Sequence, residues 1–244
     1  MNKEKYFIKQ FKKSSIIGDD GAVISDSNSK QIVYSVDAFF ENVHFKRDWM
    51  SLKQIAIKSM LVNISDAIVM NAIPKYALLT VAIPSDFNKK ELKELASGFK
   101  KIAKQYNIEI IGGDTVSNEK LDISITIIST TKNPIYRKGI KKNHLLCYTG
   151  DLGFVKQDLE KALSGKKLSK KSKFITPKLN PKFFYKISKY ISSAMDISDG
   201  LGFELERLSK INKLGFEFNK YIPKDILCSG EEYEILFTFN EKHL

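Results

Sequence analysis

Between Ser51 and Asn71 the chain carries apolar residues at Leu52, Ile55, Ala56, Met60, Ile64, Ala67 and Ile68, close to helical spacing, and the run stops before Pro74. Inside it stands Asp66, with Asn63 and Ile64 before it and Ala67 and Ile68 after it, so its carboxylate points near the buried side. No Lys or Arg lies between Ser59 and Pro74 to balance it. Burying an unpaired carboxylate is costly. The fold must therefore bring a cation to Asp66 from elsewhere.

Other carboxylates stand where apolar runs end, beside small or turn-forming residues. They are Asp19 and Asp20 in Gly18-Asp19-Asp20-Gly21, Asp37 after Tyr34-Ser35-Val36, Asp114 after Ile110-Ile111-Gly112-Gly113, and Asp196 and Asp199 in Met195-Asp196-Ile197-Ser198-Asp199-Gly200. Taken singly, these are ordinary turn sequences, and Asp199 is placed to cap a helix beginning near Leu201. Converging on one cleft, they suit Mg²⁺, which takes oxygen ligands and binds a few carboxylates together with substrate phosphates.

The runs around them set out an α+β order. Gly21–Ser25 and Gln31–Val36, flanking a polar Asp26–Ser29 turn, predict a hairpin whose second run ends at Asp37. Ser51–Asn71 predicts a helix, Tyr76–Ile83 a buried strand closed by Pro84, and Leu92 to Tyr106 an amphipathic helix capped by Asn88. Strands follow at Ile108–Ile111 and, past a Gly112-Gly113 turn, at Leu121–Ser129. This predicts a mixed sheet with two helices on one face, forming a first domain over residues 1–136. In a second α+β domain over 137–244, His144–Thr149 and Tyr233–Phe239 read as strands, and Leu152–Leu163, Phe183–Ile191 and Leu201–Ile211 as helices.

The net charge of +12 raises nucleic-acid binding. Ten lysines and no acidic residue lie between Lys161 and Tyr190, so that one segment holds +10 of it. The excess is thus a local feature, either a solvated connection or a surface attracting RNA or an anionic substrate. A scaffold or RNA-binding protein using Lys161–Lys189 stays open as the alternative to an enzyme, although a mere binding module has no need of the ordered acidic motifs.

Cys147 and Cys228 are too far apart for a metal clip and read as core residues, and the histidines at 44, 144 and 243 show no zinc spacing. Gly165-Lys166 lacks the rest of a Walker A loop, and neither a GxGxxG nor a protein-kinase motif set is present. Met1–Lys13 is lysine-rich without a signal peptide's apolar run, and Ala77–Ile83 is too short to span a bilayer, so a cytoplasmic protein with no membrane segment is expected.

The order of motifs resembles the thiamine-monophosphate kinase family, a branch of the superfamily that includes aminoimidazole ribonucleotide synthetase and selenophosphate synthetase. The matching stretches are Ile17–Asp20, Ser35-Val36-Asp37 with His44-Phe45 downstream, Lys58 through Asn63–Ala67, Ile111–Thr115, Asp196–Leu201 and Ser229–Glu234. Selenophosphate synthetase would also want a reactive residue near its N-terminus, and no cysteine precedes Cys147.

The resemblance implies a two-domain architecture like that of aminoimidazole ribonucleotide synthetase, a homodimer pairing its N-terminal sheets, and ATP-dependent phosphorylation of thiamine monophosphate to the diphosphate. Another ATP-using reaction of the superfamily is the nearest alternative. By the same resemblance Asp20, Ser35, Asp37, Asp66, Asp114, Asp196 and Asp199 would hold several Mg²⁺ ions. Gly113, Asp114, Arg137 and Ser198 would meet ATP, and His44 and Glu231 the thiamine phosphate. Val36 stands where relatives commonly have Thr. The family usually continues past the last motif and supplies a C-terminal aromatic group to the thiamine site, whereas here the sequence stops at Leu244 and its one tryptophan, Trp49, lies far upstream.

Overall fold

The buried helix decides the architecture. α2 (Leu52–Val69) starts on a capping box, in which the Ser51 hydroxyl accepts from the Gln54 N–H and the Gln54 side chain accepts from the Ser51 N–H. Every residue from Ile55 to Val69 is buried. A helix enclosed on all sides needs no polar face, so its apolar positions spread around the axis.

The computed structural model describes residues 3–11, 16–25 and 31–243, and the Asp26–Ser29 turn expected from the sequence lies outside them. In chain order the elements are α1 (Lys3–Ile8), β1 (Ala22–Ser25), β2 (Gln31–Phe40), α2, β3 (Ile73–Pro84), α3 (Lys89–Tyr106), β4 (Glu109–Asn118), β5 (Asp122–Thr131), β6 (His144–Tyr148), α4 (Phe154–Leu163), α5 (Pro181–Ile187), β7 (Ile191–Asp196), α6 (Leu201–Asn212), α7 (Lys224–Leu227) and β8 (Ile235–Asn240).

Among the described residues one sheet has the order β1-β2-β5-β3-β4, with β3–β4 parallel and the other pairs antiparallel, and a second has the order β6-β8-β7, all antiparallel. α2 packs on β2 and β5 of the first sheet and also touches β7 of the second. α3 lies against α2, and Gly98 makes this possible: a Cβ there would stand 2.4 Å from Lys53 O and 2.6 Å from Ala56 Cβ. No described helix is long and apolar enough to cross a membrane.

The structure corrects several expectations. β2 runs past Asp37 to Phe40, so Asp37 lies inside a strand, on the face it shares with buried Val33, Ser35 and Phe39. Gly112-Gly113 is no turn. β4 continues through both glycines, and Gly113 (φ +147°) is where a Cβ would stand 1.7 Å from Leu79 O of β3. β3 is buried on one face only, since Tyr76 is 43% and Leu78 36% exposed.

In the second part, residues 188–190 form a 3-10 turn, and Ile191 opens β7, a strand the hydrophobic pattern did not separate from the helix before it. Cys228 is exposed and Cys147 half-buried, so neither is a fully buried core residue. Of the ten lysines between Lys161 and Tyr190, nine are exposed, and Lys173 is drawn inward.

Candidate active site

Three strands and one helix bring carboxylates together. Asp20 precedes β1, Asp66 lies in the last turn of α2, and Asp196 closes β7. Ligand atoms of these three all lie within 4.8 Å of one another. Each side chain is buried. Burial is the largest cause raising each of their pKa values; the negative charge of Asp37 adds for Asp66 and that of Asp20 for Asp196, while Arg137 pulls Asp20 partly back.

Asp37 faces the same space from β2. Burial, then the charges of Asp20 and Glu231, push its carboxyl up to about 6. β1 covers β2 only as far as Tyr34, and beyond it the Asp37 N–H donates to Asn63 Oδ1 at 2.8 Å. Asn63 also accepts at its carbonyl from the buried Ser35 hydroxyl at 3.4 Å, and its amide nitrogen donates to Ser59 O. Asn63 thus locks β2 to α2 beside the carboxylates.

Arg137 brings a cation to the cluster but pairs with Asp20, and only its longer-range charge reaches Asp66. Its Nη2 lies 2.5 Å from Asp20 Oδ1 and its Nε 3.3 Å from Oδ2, a forked pair. Its main chain is stitched in place by N–H donation to Asp19 Oδ1 at 2.8 Å, and its carbonyl accepts from Ser193 Oγ and Asn212 Nδ2. Burial alone would lower the guanidinium pKa, but Asp20, Asp196 and Asp19 together raise it above its ordinary value. One guanidinium against Asp20, Asp66 and Asp196, with Asp37 beside them, leaves a negative excess in a buried, oxygen-only donor set. That is what a hard divalent ion requires.

The loop after β7 is zipped to the loop before β8: Glu231 N–H donates to Ser198 O at 2.6 Å, Tyr233 N–H to Ile197 O, and Ile197 N–H to Glu234 O. Ser198 Oγ reaches Glu204 Oε1 at 3.4 Å. Asp199 has a side chain 55% exposed and pairs with Arg207 at 3.1 Å. It does not cap α6, whose N-cap is Gly200.

Glu231 takes the Lys58 ammonium at 2.5 Å on one oxygen and the Tyr233 hydroxyl at 3.1 Å on the other. His44 accepts from the Phe40 N–H at 3.0 Å and stacks on Phe39.

Asp114 and Gly113 do not join this group within the chain. Asp37 is in register with Ile125, Ile125 with Leu79, and Leu79 with Gly113. Three strand spacings of about 4.8 Å put Gly113 roughly 14 Å from Asp37. Asp114 is exposed on the edge strand β4, its carboxylate accepting from the next N–H at 2.8 Å.

Two lysines to which the sequence assigns no role complete the picture. Lys58 is fully buried and Lys173 half-buried, and Lys173 holds Glu232 at 2.9 Å, Glu234 at 2.7 Å and Asp151 O at 2.7 Å. The signal was present: Lys58 is the cation in an apolar helix, and a motif with three glutamates needs counter-charges.

Residues 18–131 match the family described as AIR synthase related protein, N-terminal domain. Over 252 residues the chain is 32% identical to the thiamine-monophosphate kinase of Bacillus subtilis, spanning 93% of this chain and 78% of that protein. The chain belongs to the thiamine-monophosphate kinase family. The Aquifex aeolicus thiamine-monophosphate kinase is 29% identical over 95% of this chain and 83% of its own length. A solved structure of AaThiL complexed with AMPPCP and TMP superposes with a TM-score of 0.88 at 26% identity, covering 99% of this chain and 85% of that one.

Proposed function

We infer that this member of the family transfers the γ-phosphoryl group of ATP to the phosphate of thiamine monophosphate, yielding thiamine diphosphate and ADP. The bond from Pγ to the β-phosphate bridging oxygen breaks as a bond from Pγ to an acceptor phosphate oxygen forms. The observation that carries this reading is the packing of Asp20, Asp66 and Asp196 within 4.8 Å in a buried site with raised pKa values. The AMPPCP and TMP held by AaThiL are the matching chemistry in a relative.

Asp20, Asp37, Asp66 and Asp196 are the side chains that would hold Mg²⁺, with Asp199 at the rim and Ser35 beside Asp37. When bound, the ions supply charge neutralisation between two anionic reactants. The chain itself supplies rigidity: α2 fixes Asp66, Asn63 fixes β2, and the zipped loops fix Ser198 and Glu231. The acceptor phosphate has a second pKa near about 6 and is already ionised, so the transfer needs position more than a base. Arg137, held next to Asp20, would contact an incoming ATP phosphate, and Ser198 would join it. His44 and Glu231 are taken to face the thiamine half. With ATP as donor, the reaction is proposed to run in the cytoplasm.

Asp114 and Gly113 then serve the site of a second copy. The outer face of the first sheet exposes Val36 at 60%, Ile111 at 49%, Val116 at 48% and Tyr76 at 43%. A broad apolar sheet face of this kind is a docking surface. Pairing two such faces in a homodimer delivers Asp114 across the interface.

The test is direct: purified protein with ATP, Mg²⁺ and thiamine monophosphate is expected to form thiamine diphosphate, read as thiochrome fluorescence after separation. ATP consumption only with a different acceptor, or no diphosphate at any Mg²⁺ concentration, would reject the reading.

A further inference from the structure

Lys58 is absent from every role discussed so far as a ligand or acceptor, yet it is among the largest fully buried side chains of the protein. Its ammonium lies 2.5 Å from Glu231 Oε2, 3.9 Å from the centre of the Phe174 ring and 5.7 Å from that of Phe39. A buried ammonium without its carboxylate is strongly unfavourable, so Lys58 demands Glu231 at that spot and Glu231 cannot drift into solvent.

Two further contacts restrict the same side chain. The Tyr233 hydroxyl holds the other oxygen, and the Glu231 backbone sits at φ +59° with its N–H on Ser198 O at 2.6 Å. A carboxylate oxygen has two acceptor sites, so each Glu231 oxygen keeps one free, and the side chain is 24% exposed. The free acceptors can take an N–H donor or face a cation. They repel phosphate.

We propose that Lys58 is a positioning residue for substrate recognition: from inside α2 it holds Glu231 as an aimed, ionised acceptor that selects the amino-bearing, cationic thiamine half of the acceptor substrate. This rests on the proposed function. The Lys58 ammonium is also 5.7 Å from the centre of the Phe39 ring, which stacks on His44 at 5.6 Å, so one buried cation neighbours both residues taken to face thiamine.

The test is a double-mutant cycle with Lys58→Met, Glu231→Gln and the double variant, each assayed for kcat and for KM toward thiamine monophosphate and ATP separately, with Tm recorded. Lys58→Met and Glu231→Gln are each expected to raise KM for thiamine monophosphate tenfold or more, with KM for ATP within twofold of wild type. The double variant is expected to be no worse than the poorer single. Lys58→Arg, which keeps the charge, is expected to recover at least part of the loss.

An unchanged KM for thiamine monophosphate in Lys58→Met, multiplicative effects in the double variant, or an equal rise in KM for ATP would overturn the inference while leaving the kinase reading intact. A wild-type protein with no activity on thiamine monophosphate would overturn both. If Lys58→Met does not fold, the cycle is run with Lys58→Gln, which also removes the charge, and Glu231→Gln. There, an unchanged KM for thiamine monophosphate in Lys58→Gln or in Glu231→Gln, or effects that multiply in the double variant, overturns the inference.

Discussion

Replacing Asp66 by Asn in the metal-free protein is expected to make it more stable. Asp20 is already paired with Arg137, so the uncompensated repulsion on Asp66 comes from Asp37 and then Asp196, and the Asp66 and Asp196 ligand atoms lie within 4.8 Å. At an effective dielectric constant of about 20, two unit charges at that distance repel by about 3 kcal/mol. For a chain of this size about 1 kcal/mol moves Tm by about 2–4 °C, so Asp66→Asn should gain about 6–12 °C in EDTA at pH 8.

The sign with pH follows from the raised pKa values. A carboxyl whose folded pKa lies above its unfolded value binds protons more tightly in the folded state, so metal-free wild type gains stability as pH falls through the folded value toward 3.8; for Asp37 this window runs from about 6 down to 3.8. The advantage of Asp66→Asn should therefore shrink on acidification. Mg²⁺ should reverse the order, stabilising wild type but not the variant. Scanning fluorimetry across pH with EDTA or Mg²⁺ measures all of this. A variant less stable than wild type in EDTA at pH 8, or equal Mg²⁺ stabilisation of both, would refute the cluster's electrostatics.

Asp37→Asn should keep the fold while turnover falls by a hundredfold or more, each tenfold step being about 1.4 kcal/mol, as read in the thiochrome assay. Mixing Asp66→Asn with Asp114→Asn protein, each inactive alone, should restore about a quarter of wild-type activity if Asp114 serves the other copy's site, since random reassortment makes half the dimers mixed, each with one intact site. No recovery in mixtures shown by native mass spectrometry to contain mixed dimers would place Asp114 elsewhere. Lys173→Met should lower stability by about 3–5 kcal/mol by stranding buried Glu232 and Glu234, checked by urea denaturation.

Local signals in the sequence were strong where chemistry is local. The Asn88 cap is seen as expected, its side chain accepting from Lys90 and Glu91 N–H groups, and the end of α2 before Pro74 falls where the pattern put it. The unbalanced charge of Asp66 was legible too, because an apolar helix with a carboxylate demands a cation. What failed was non-local. Gly112-Gly113 carries a turn composition, but the close approach of Leu79 O keeps it extended, a contact made by a strand more than thirty residues earlier in the chain. The separation of Asp114 from its fellow carboxylates depends on the strand order β1-β2-β5-β3-β4, which motif order does not encode. Lys58, although it opens a matching motif, and Lys173 receive no role from the sequence because a lysine is ordinarily a surface residue, and only the packed Glu231–Glu234 stretch shows why these two are not.

The bare patch on α3 at Gly98 has a reach beyond its neighbours. Lys53 and Ala56, which it touches, belong to the same stiff rod as Lys58, Asn63 and Asp66, and ten residues of helix carry a displacement at Ala56 about 15 Å to Asp66. A single methyl added there, on a helix that makes no contact with any reacting group, would tilt the whole lever and misalign the carboxylates at its far end. Drift at such a position is consequently constrained by chemistry performed elsewhere.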